Sequence, residues 1–288
     1  MALSYASNTD ALKAQLTLQK TTDQLSKTFE RLSSGLRLNS AADGPADIQV
    51  ADGLRAQSRI ATVAIRNAND GLSLAAIGDA ALEEISYSLE RMAELATQSA
   101  NGVYSNAQRS ALQAEFTALG SEIERIAATT TFNKLTLLSN STSVALQVGL
   151  DGGNGATITV EQVLGTLNSV GLAGSGSSAL TYSLTGASVY DAQTASQLAL
   201  DAVNAALSSI TARRGVFGAA ESRLTTAIEY LTVARENFVA AESRIRDADI
   251  AQEVAEMVRL QVLQQAGTAV LAQANLQPGI AYSLLQSP

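Results

Sequence analysis

The residues most suggestive of chemistry are carboxylates near the end of the chain: Asp247, Asp249, Glu253 and Glu256. On one helix the last three share a face, and carboxylate oxygens at such a spacing can ligate a divalent cation. Arginines occupy the same stretch, namely Arg244, Arg246 and Arg259. We therefore interpret the acidic cluster as a solvated face or as intersubunit salt bridges, and we expect no metal site.

A pair of carboxylates can also act as general acid and general base in a hydrolase. Glu122 and Glu124 form such a pair in the sequence. Positions i and i+2 of a helix point to different faces, so these two side chains cannot form a joint site. The pair therefore gives little support to a hydrolase.

The composition removes most other catalytic chemistry, because the 288 residues include no histidine and no cysteine. A Ser-His-Asp triad, a cysteine nucleophile, a thiolate zinc site and a disulfide are all impossible. The commonest general base near neutral pH is also missing. The sequence thus predicts a protein that is not an enzyme and has no catalytic, cofactor-binding or metal-binding residues.

Charge and hydropathy exclude two classes of partner. The formal net charge is −8 and there is no basic run, so we expect no binding to nucleic acid. The longest charge-free stretches, 162–190 and 260–288, are rich in Gly and Ser or in Gln, so we expect no membrane insertion. Residues 1–5 lack the basic and apolar regions of a cleaved signal peptide.

Long helices are expected to position these side chains, since prolines occur only at Pro45, Pro278 and Pro288. Apolar residues recur once per heptad late in the chain: Val203, Ile210, Phe217, Leu224, Leu231, Phe238 and Ile245. Similar stripes cover 74–99 and 112–126, and the second of these opens with a capping box at Ser105 and Gln108. The pattern predicts a mainly α fold, a long antiparallel helical bundle or coiled coil.

The middle of the chain, from about 135 to 190, has a different pattern. The runs 144–148 and 157–160 favour strands, and glycine-rich residues at 151–155 separate them. They predict a small β-hairpin element in the middle of the chain.

Both ends of the chain carry more apolar residues than a single bundle readily buries. No charge follows Arg259, and Val262, Val270 and Leu276 lie around much of the expected helix. A helix that is uncharged all round must be buried, and short helices alone are marginal in water. The sequence therefore predicts that both ends pair with each other and with copies from other subunits.

An ordered set of motifs is similar to the two signatures of bacterial flagellins. Towards the N-terminus these are RLSSGLRLNSA (31–41), RNANDGLS (66–73), ERMAELA (90–96) and TFN (131–133). Towards the C-terminus they are AESRIRDAD (241–249), QQAG (264–267) and AQAN (272–275). The order of the motifs, with a variable segment between them, makes the resemblance specific.

The resemblance implies a structural subunit that self-assembles through its terminal helices into the flagellar filament used for motility. It places residues 1–42 and 246–288 in an inner coiled-coil domain and 43–245 in an outer helical domain, whose variable β/loop centre lies at about 135–190. The short centre implies a form without large outer domains. We place the hinge between the domains at Gly44-Pro45, because a proline disfavours helix at the preceding residue.

The resemblance also implies partners and a location. The partners are other copies in a helical homo-polymer, an export chaperone and the flagellar secretion apparatus, hook-associated and cap proteins, and host innate receptors. The location is the extracellular filament, reached by secretion. A hook–filament junction protein of the same family is the alternative, although the compact centre favours a filament subunit.

Two sets of candidate sites follow. Assembly or recognition is expected at Leu25, Phe29, Leu32, Asn67, Asp70, Arg91, Leu95, Glu115, Arg244, Asp247, Asp249, Val258, Val262, Leu271, Leu284 and Leu285. Of these, Arg91, Leu95 and Glu115 match positions that contact an innate receptor in some relatives, although subunit packing is the favoured interpretation. O-glycosylation of an exposed loop, rather than an unmodified polar loop, is considered at Ser141, Thr142, Ser143, Ser175, Ser177 and Ser178.

Overall fold

The computed structural model describes residues 8–285, apart from the side chains of Asn154 and of residues 277–285. The α-helices in this range are α1 (Thr9–Ser34), α2 (Pro45–Ala100), α3 (Asn106–Thr129), α4 (Val189–Arg246) and α5 (Ile250–Leu285). The prediction of a mainly α fold built from long helices is confirmed. Within the described range, no helix is both long enough and apolar enough to cross a membrane.

The chain divides into two compact units. The terminal unit takes the described residues up to Ser58 and from Glu236 onwards, and the central unit is Arg59–Arg235. The helices α2 and α4 each have residues in both units. The domain boundaries inferred from the resemblance, at 42/43 and 245/246, concern the assembled filament and stay a prediction.

Local capping explains where the helices begin and end. The Asn8 side chain accepts a hydrogen bond from the Ala11 amide at 3.0 Å at the start of α1, and Gly35 closes α1 in a left-handed conformation with φ 71°. Helix α2 begins at Pro45, where a fixed φ suits the first helical position. The capping box predicted at Ser105 and Gln108 opens α3, with both reciprocal bonds present.

The core of the central unit follows the predicted stripes. Four residues of α4 are fully buried, namely Val203, Ile210, Phe217 and Leu224. Leu89 of α2 and Phe116 of α3 are fully buried in the same core. Ile77 departs from the pattern and is 41% exposed. At the next residue, Gly78, the Phe217 ring packs so closely that an added Cβ would lie 2.6 Å from the ring's Cζ.

The predicted β-hairpin is present as β3 (Val144–Gln147) and β4 (Thr157–Val160), which pair antiparallel. Before it, β1 (Thr131–Phe132) and β2 (Leu135–Thr136) form a second, shorter hairpin that the sequence analysis missed. Its turn residues Asn133 and Lys134 have φ of 48° and 67°. Positive φ at both central positions matches the right-handed twist of a hairpin, and the asparagine was the available signal.

Candidate assembly surface

The terminal helices α1 and α5 pack against each other in antiparallel register. Near one end, Asn8 Nδ2 donates to the Ala274 carbonyl oxygen at 2.8 Å. Near the other, Arg31 Nη1 lies 3.3 Å from Glu253 Oε1. This pairing is the contact between chain ends that the sequence predicts.

The seam between α1 and α5 buries few large side chains. Among the described side chains, those buried on α1 are Thr21, Leu25 and Thr28, and those on α5 are Leu260 and Ala274. Leu25 and Leu260 are the large apolar groups in this set, and half-buried Leu18 lies against Gly267. The two helices therefore gain modest hydrophobic stabilisation from each other.

Most apolar residues of these two helices stay exposed instead. Leu12, Leu16, Phe29, Val254, Val258, Val262, Leu263, Val270 and Leu276 are between 40% and 61% exposed. Of the other candidates on these helices, Leu32 and Leu271 are half-buried and Leu25 lies in the seam. The side chains of Leu284 and Leu285 lie outside the described residues. Apolar surface on this scale is typical of a site of association.

Backbone hydrogen bonds join the two segments that connect the terminal helices to α2 and α4. The Arg37 amide donates to the Arg246 carbonyl at 2.6 Å, and the Ala248 amide donates to the Gly35 carbonyl at 3.0 Å. The Arg37 guanidinium adds a bond to the Ile245 carbonyl at 2.8 Å. These bonds pair residues 35–37 with residues 245–248 inside the terminal unit, and we call this paired segment the joint.

Ion pairs surround the joint. Arg246, with 14% of its side chain exposed, contacts Asp52 at 3.3 Å and Glu242 at 4.0 Å. Arg55 also contacts Glu242, at 2.8 Å. Partial burial reduces screening by solvent, so these pairs hold the ends of α2 and α4 together more firmly than fully exposed pairs would.

A tight turn closed by Asp43 lies just before the predicted hinge at Gly44-Pro45. The carboxylate oxygen Oδ2 of Asp43 accepts hydrogen bonds from the amides of Ser40 at 2.9 Å and Asn39 at 3.2 Å, and from the Ser40 hydroxyl. The Ser40 amide is the main reason that the pKa of Asp43 lies below its usual value, since hydrogen bonds to a carboxylate favour its charged form.

Each of the C-terminal acidic residues Asp249, Glu253 and Glu256 contacts a different partner. Asp249 Oδ1 accepts from the amides of Ala251 and Gln252 and so caps α5. Glu253 pairs with Arg31 and Glu256 with Arg259. In the part of the chain that the structure describes, no group of three such side chains could hold a metal ion.

The remaining members of that cluster lie near the joint. The Ser243 hydroxyl donates to the Asp247 carboxylate, and Asp247 also forms an isolated bridge with Leu36. Arg244 is exposed. Whether Arg244, Asp247 and Asp249 contact other subunits stays a prediction.

In the central unit the structure brings Arg91 and Glu115 together and separates Leu95 from them. Arg91 bridges α2 and α3 through Glu115 at 2.8 Å and also contacts Glu94 at 2.7 Å. The hydrogen bond with Glu115 is the main reason that the Arg91 pKa lies above its usual value. Leu95 is 1% exposed and belongs to the hydrophobic core of the central unit.

Asn67 ties α2 to the β-hairpin, and neighbouring Asp70 is exposed. Asn67 Nδ2 donates to the Gln147 carbonyl at the end of β3, at 3.0 Å. The six candidate glycosylation residues, Ser141, Thr142, Ser143, Ser175, Ser177 and Ser178, are all exposed.

Arg109, a fully buried residue at the first turn of α3, is not among the residues predicted from the sequence. Its guanidinium donates to the carbonyl oxygens of Ser99 at 2.9 Å, Asn101 at 3.0 Å and Val189 at 3.1 Å. It thereby joins the end of α2 and the start of α4 to α3. The available signal was its position, three residues before Leu112 on the apolar stripe of α3.

Fold and surface together define a mainly helical protein whose two chain ends pair and leave apolar side chains exposed. The family model described as "Bacterial flagellin N-terminal helical region" matches residues 6–143. The model described as "Bacterial flagellin C-terminal helical region" matches residues 200–285.

Whole-length relatives agree with these matches. A flagellin from Halalkalibacterium halodurans is 40% identical over 280 residues, covering 97% of this chain and 98% of the relative. A flagellin from Listeria monocytogenes is 33% identical over 287 residues, with the same two shares covered. A solved structure of a putative flagellar hook-associated protein from Vibrio parahaemolyticus shares the fold alone, with a TM-score of 0.57, 14% identity, and 71% and 100% of the two chains covered.

The chain therefore belongs to the bacterial flagellin family. Members of this family are the structural subunits of the flagellar filament, and the alternative of a hook–filament junction protein is not favoured.

Proposed function

We propose that this chain polymerises into the flagellar filament through α1 and α5, whose exposed apolar faces are buried by other copies. The observation that carries the proposal is the apolar surface of the terminal unit. Full burial of a Val, Leu or Phe side chain contributes about 1.5–3 kcal/mol, and covering the roughly half that is exposed here contributes about half of that. Polymerisation that covers several of them outweighs the rotational and translational entropy lost.

The same surface argues for partners before assembly. The exposed apolar side chains of α5 require a binding partner in the bacterial cell, and a flagellar export chaperone is that partner. Secretion as an unfolded chain through the flagellar apparatus suits a sequence without cysteine, since no disulfide has to form afterwards. Hook-associated and cap proteins then border the filament at its ends.

The extracellular location makes two surface features relevant. The ion-paired surface of Arg91 and Glu115 serves subunit packing and is the surface that a host innate receptor would meet on a free subunit. The exposed Ser and Thr residues of the centre are candidates for glycosylation. The intact mass of the protein isolated from flagella tests the second point, because a mass equal to that of the bare chain contradicts it.

The role we propose is structural and includes no catalytic step. The carboxylate pair considered above supports this, because Glu122 bonds to Arg125 whereas Glu124 accepts from the Leu167 amide at 2.8 Å. The two side chains thus have different partners and no shared site.

Negative-stain electron microscopy of concentrated protein tests the proposal. We expect long filaments from the full chain and none after removal of the terminal segments. Because truncation removes much structure, the sharper variant replaces Leu16 and Val262, which are 54% and 58% exposed, by aspartate. This double variant should remain a folded monomer.

A matched control adds the same charges elsewhere. Ser141→Asp with Ser175→Asp places two carboxylates on exposed residues of the centre, and we expect this variant to form wild-type filaments. Normal filaments from the Leu16/Val262 variant would contradict assembly through the terminal helices. Failure of the wild-type chain to form long fibres would instead favour a junction protein.

A further inference from the structure

The turn after α2 presents an exposed asparagine followed by glycine. Asn101 and Gly102 come directly after Ala100, the last residue of α2, and both are exposed. In such a pair the peptide nitrogen of the glycine can approach the asparagine side chain, because glycine carries no Cβ to obstruct it.

The geometry of the turn favours that approach. The Val103 amide donates to Asn101 Oδ1 at 3.2 Å, so the Asn101 side chain bonds across the intervening Gly102 residue. Bonds from the Tyr104 amide at 3.4 Å and from Arg109 at 3.0 Å hold the Asn101 carbonyl in place. Among the described residues, none accepts a hydrogen bond from the Gly102 N–H. The attacking nitrogen is therefore not engaged elsewhere.

We propose that Asn101 is a site of spontaneous deamidation. The Gly102 nitrogen loses its proton and bonds to Asn101 Cγ, the Cγ–Nδ2 bond breaks, and ammonia leaves. The product is a cyclic imide. Water then opens the imide at one of its two carbonyls, giving aspartate or isoaspartate. The Val103 N–H stabilises the negative charge that develops on Oδ1 during the attack.

The reaction has a structural consequence through Arg109. Isoaspartate adds a methylene to the main chain at the residue whose carbonyl Arg109 holds. The bonds that Arg109 makes to Ser99 and Val189 depend on the same guanidinium position. We expect conversion at Asn101 to loosen this end of the central unit.

A second asparagine nearby supplies an internal control. Asn106 begins α3 and is followed by alanine, so the helical backbone and a Cβ both oppose ring closure. Trypsin releases both asparagines in one peptide, 92–109. Asn154 also precedes a glycine, and its peptide is measured separately.

The test is to incubate the full-length monomer at mildly alkaline pH, quench in acid, digest it and measure the peptides by mass spectrometry. An isoaspartyl methyltransferase labels the isoaspartate product. We expect conversion at Asn101 but not at Asn106, at a rate no lower than in the urea-unfolded chain. If Asn101 keeps its amide in the folded protein while it converts in urea, the fold protects the site and the proposal is wrong.

Gly102→Ala tests the attacking residue. Its φ lies outside the left-handed region, and the new Cβ would meet only the flexible end of Gln193, at 2.8 Å, so the variant should fold. We expect conversion to slow about tenfold, which corresponds to ~1.4 kcal/mol in the barrier. Conversion at the wild-type rate in the folded variant would overturn the imide route.

Discussion

Arg109 shows how one residue can organise the end of a bundle. Its positive charge lies in a fully buried position, and its three guanidinium contacts are all to backbone carbonyl oxygens. Carbonyls at the end of α2 carry the negative end of the helix dipole, so they compensate the buried charge. The planar guanidinium can reach three separate acceptors, whereas the compact ammonium group of lysine cannot.

Arg109→Lys should therefore destabilise the monomer although it conserves charge. At least one buried carbonyl loses its donor, and we expect the free energy of unfolding to fall by about 2–3 kcal/mol. Urea unfolding measures it, with an unchanged m-value showing that the transition is comparable. The control is Arg125→Lys on the exposed surface of α3, which should change stability by less than about 0.5 kcal/mol. Equal effects of the two variants would contradict this role of Arg109.

Asp43 makes the turn before Gly44-Pro45 sensitive to acid. Folding lowers the pKa of its carboxyl group, chiefly through the Ser40 amide. The folded turn therefore binds a proton less readily than the unfolded chain. The ionised Asp43 carboxylate therefore stabilises the folded chain at any pH above the pKa that Asp43 has in the unfolded chain. This stabilisation is lost as the pH falls through the pKa that Asp43 has in the folded chain.

Hydrogen exchange at the amides of Asn39 and Ser40 tests this expectation. Protection of these amides should fall as Asp43 is protonated in the wild-type chain. Asp43→Asn should show reduced protection at neutral pH and little further change in acid. Protection that does not change with pH in the wild type would contradict the proposed closure of the turn.

Among the elements, α2 and α4 show how far apolar patterns predict packing. The heptad stripe of α4 correctly identified Val203, Ile210 and Phe217 as core residues. The glycine-separated runs likewise identified β3 and β4. These features follow from local periodicity and turn chemistry, which the sequence contains directly.

Other contacts could not be read from the sequence because they join residues distant along the chain. The packing of Phe217 on Gly78 depends on how α2 and α4 meet, and the Arg91–Glu115 pair depends on how α2 and α3 meet. The complete burial of Leu95 likewise depends on tertiary packing. Periodicity gives the face of a helix, whereas the partner on that face is set by tertiary packing.

Gly78→Ala tests the packing of α2 against α4. The added Cβ would lie 2.6 Å from the Phe217 ring, which is fully buried. Overpacking of this kind costs about 1–3 kcal/mol, more than the gain in helix propensity, so urea unfolding should show a less stable protein.

Gly218→Ala is the matched control for that experiment, since nothing lies within 4 Å of the corresponding Cβ. It should raise stability by up to about 1 kcal/mol, because alanine favours helix over glycine. Equal stabilisation by both substitutions would contradict the close approach at Gly78.

At the scale of the whole molecule, the chain combines a well-packed central unit with a terminal unit whose seam is thin. The central unit contains the large apolar cluster, whereas α1 and α5 bury mainly Leu25 and Leu260 as large apolar groups against each other. Elements with few buried apolar contacts open most readily. Pairing of α1 with α5 in the free chain is therefore expected to be weak, and the filament is expected to stabilise it.

Hydrogen–deuterium exchange of α1 and α5 in the monomer and in the filament measures whether polymerisation buries the terminal helices. We predict fast exchange over both helices in the monomer, slow exchange in the central unit, and strong protection of α1 and α5 after polymerisation. Stable protection of both terminal helices in the monomer, unchanged in the filament, would contradict assembly through the chain ends.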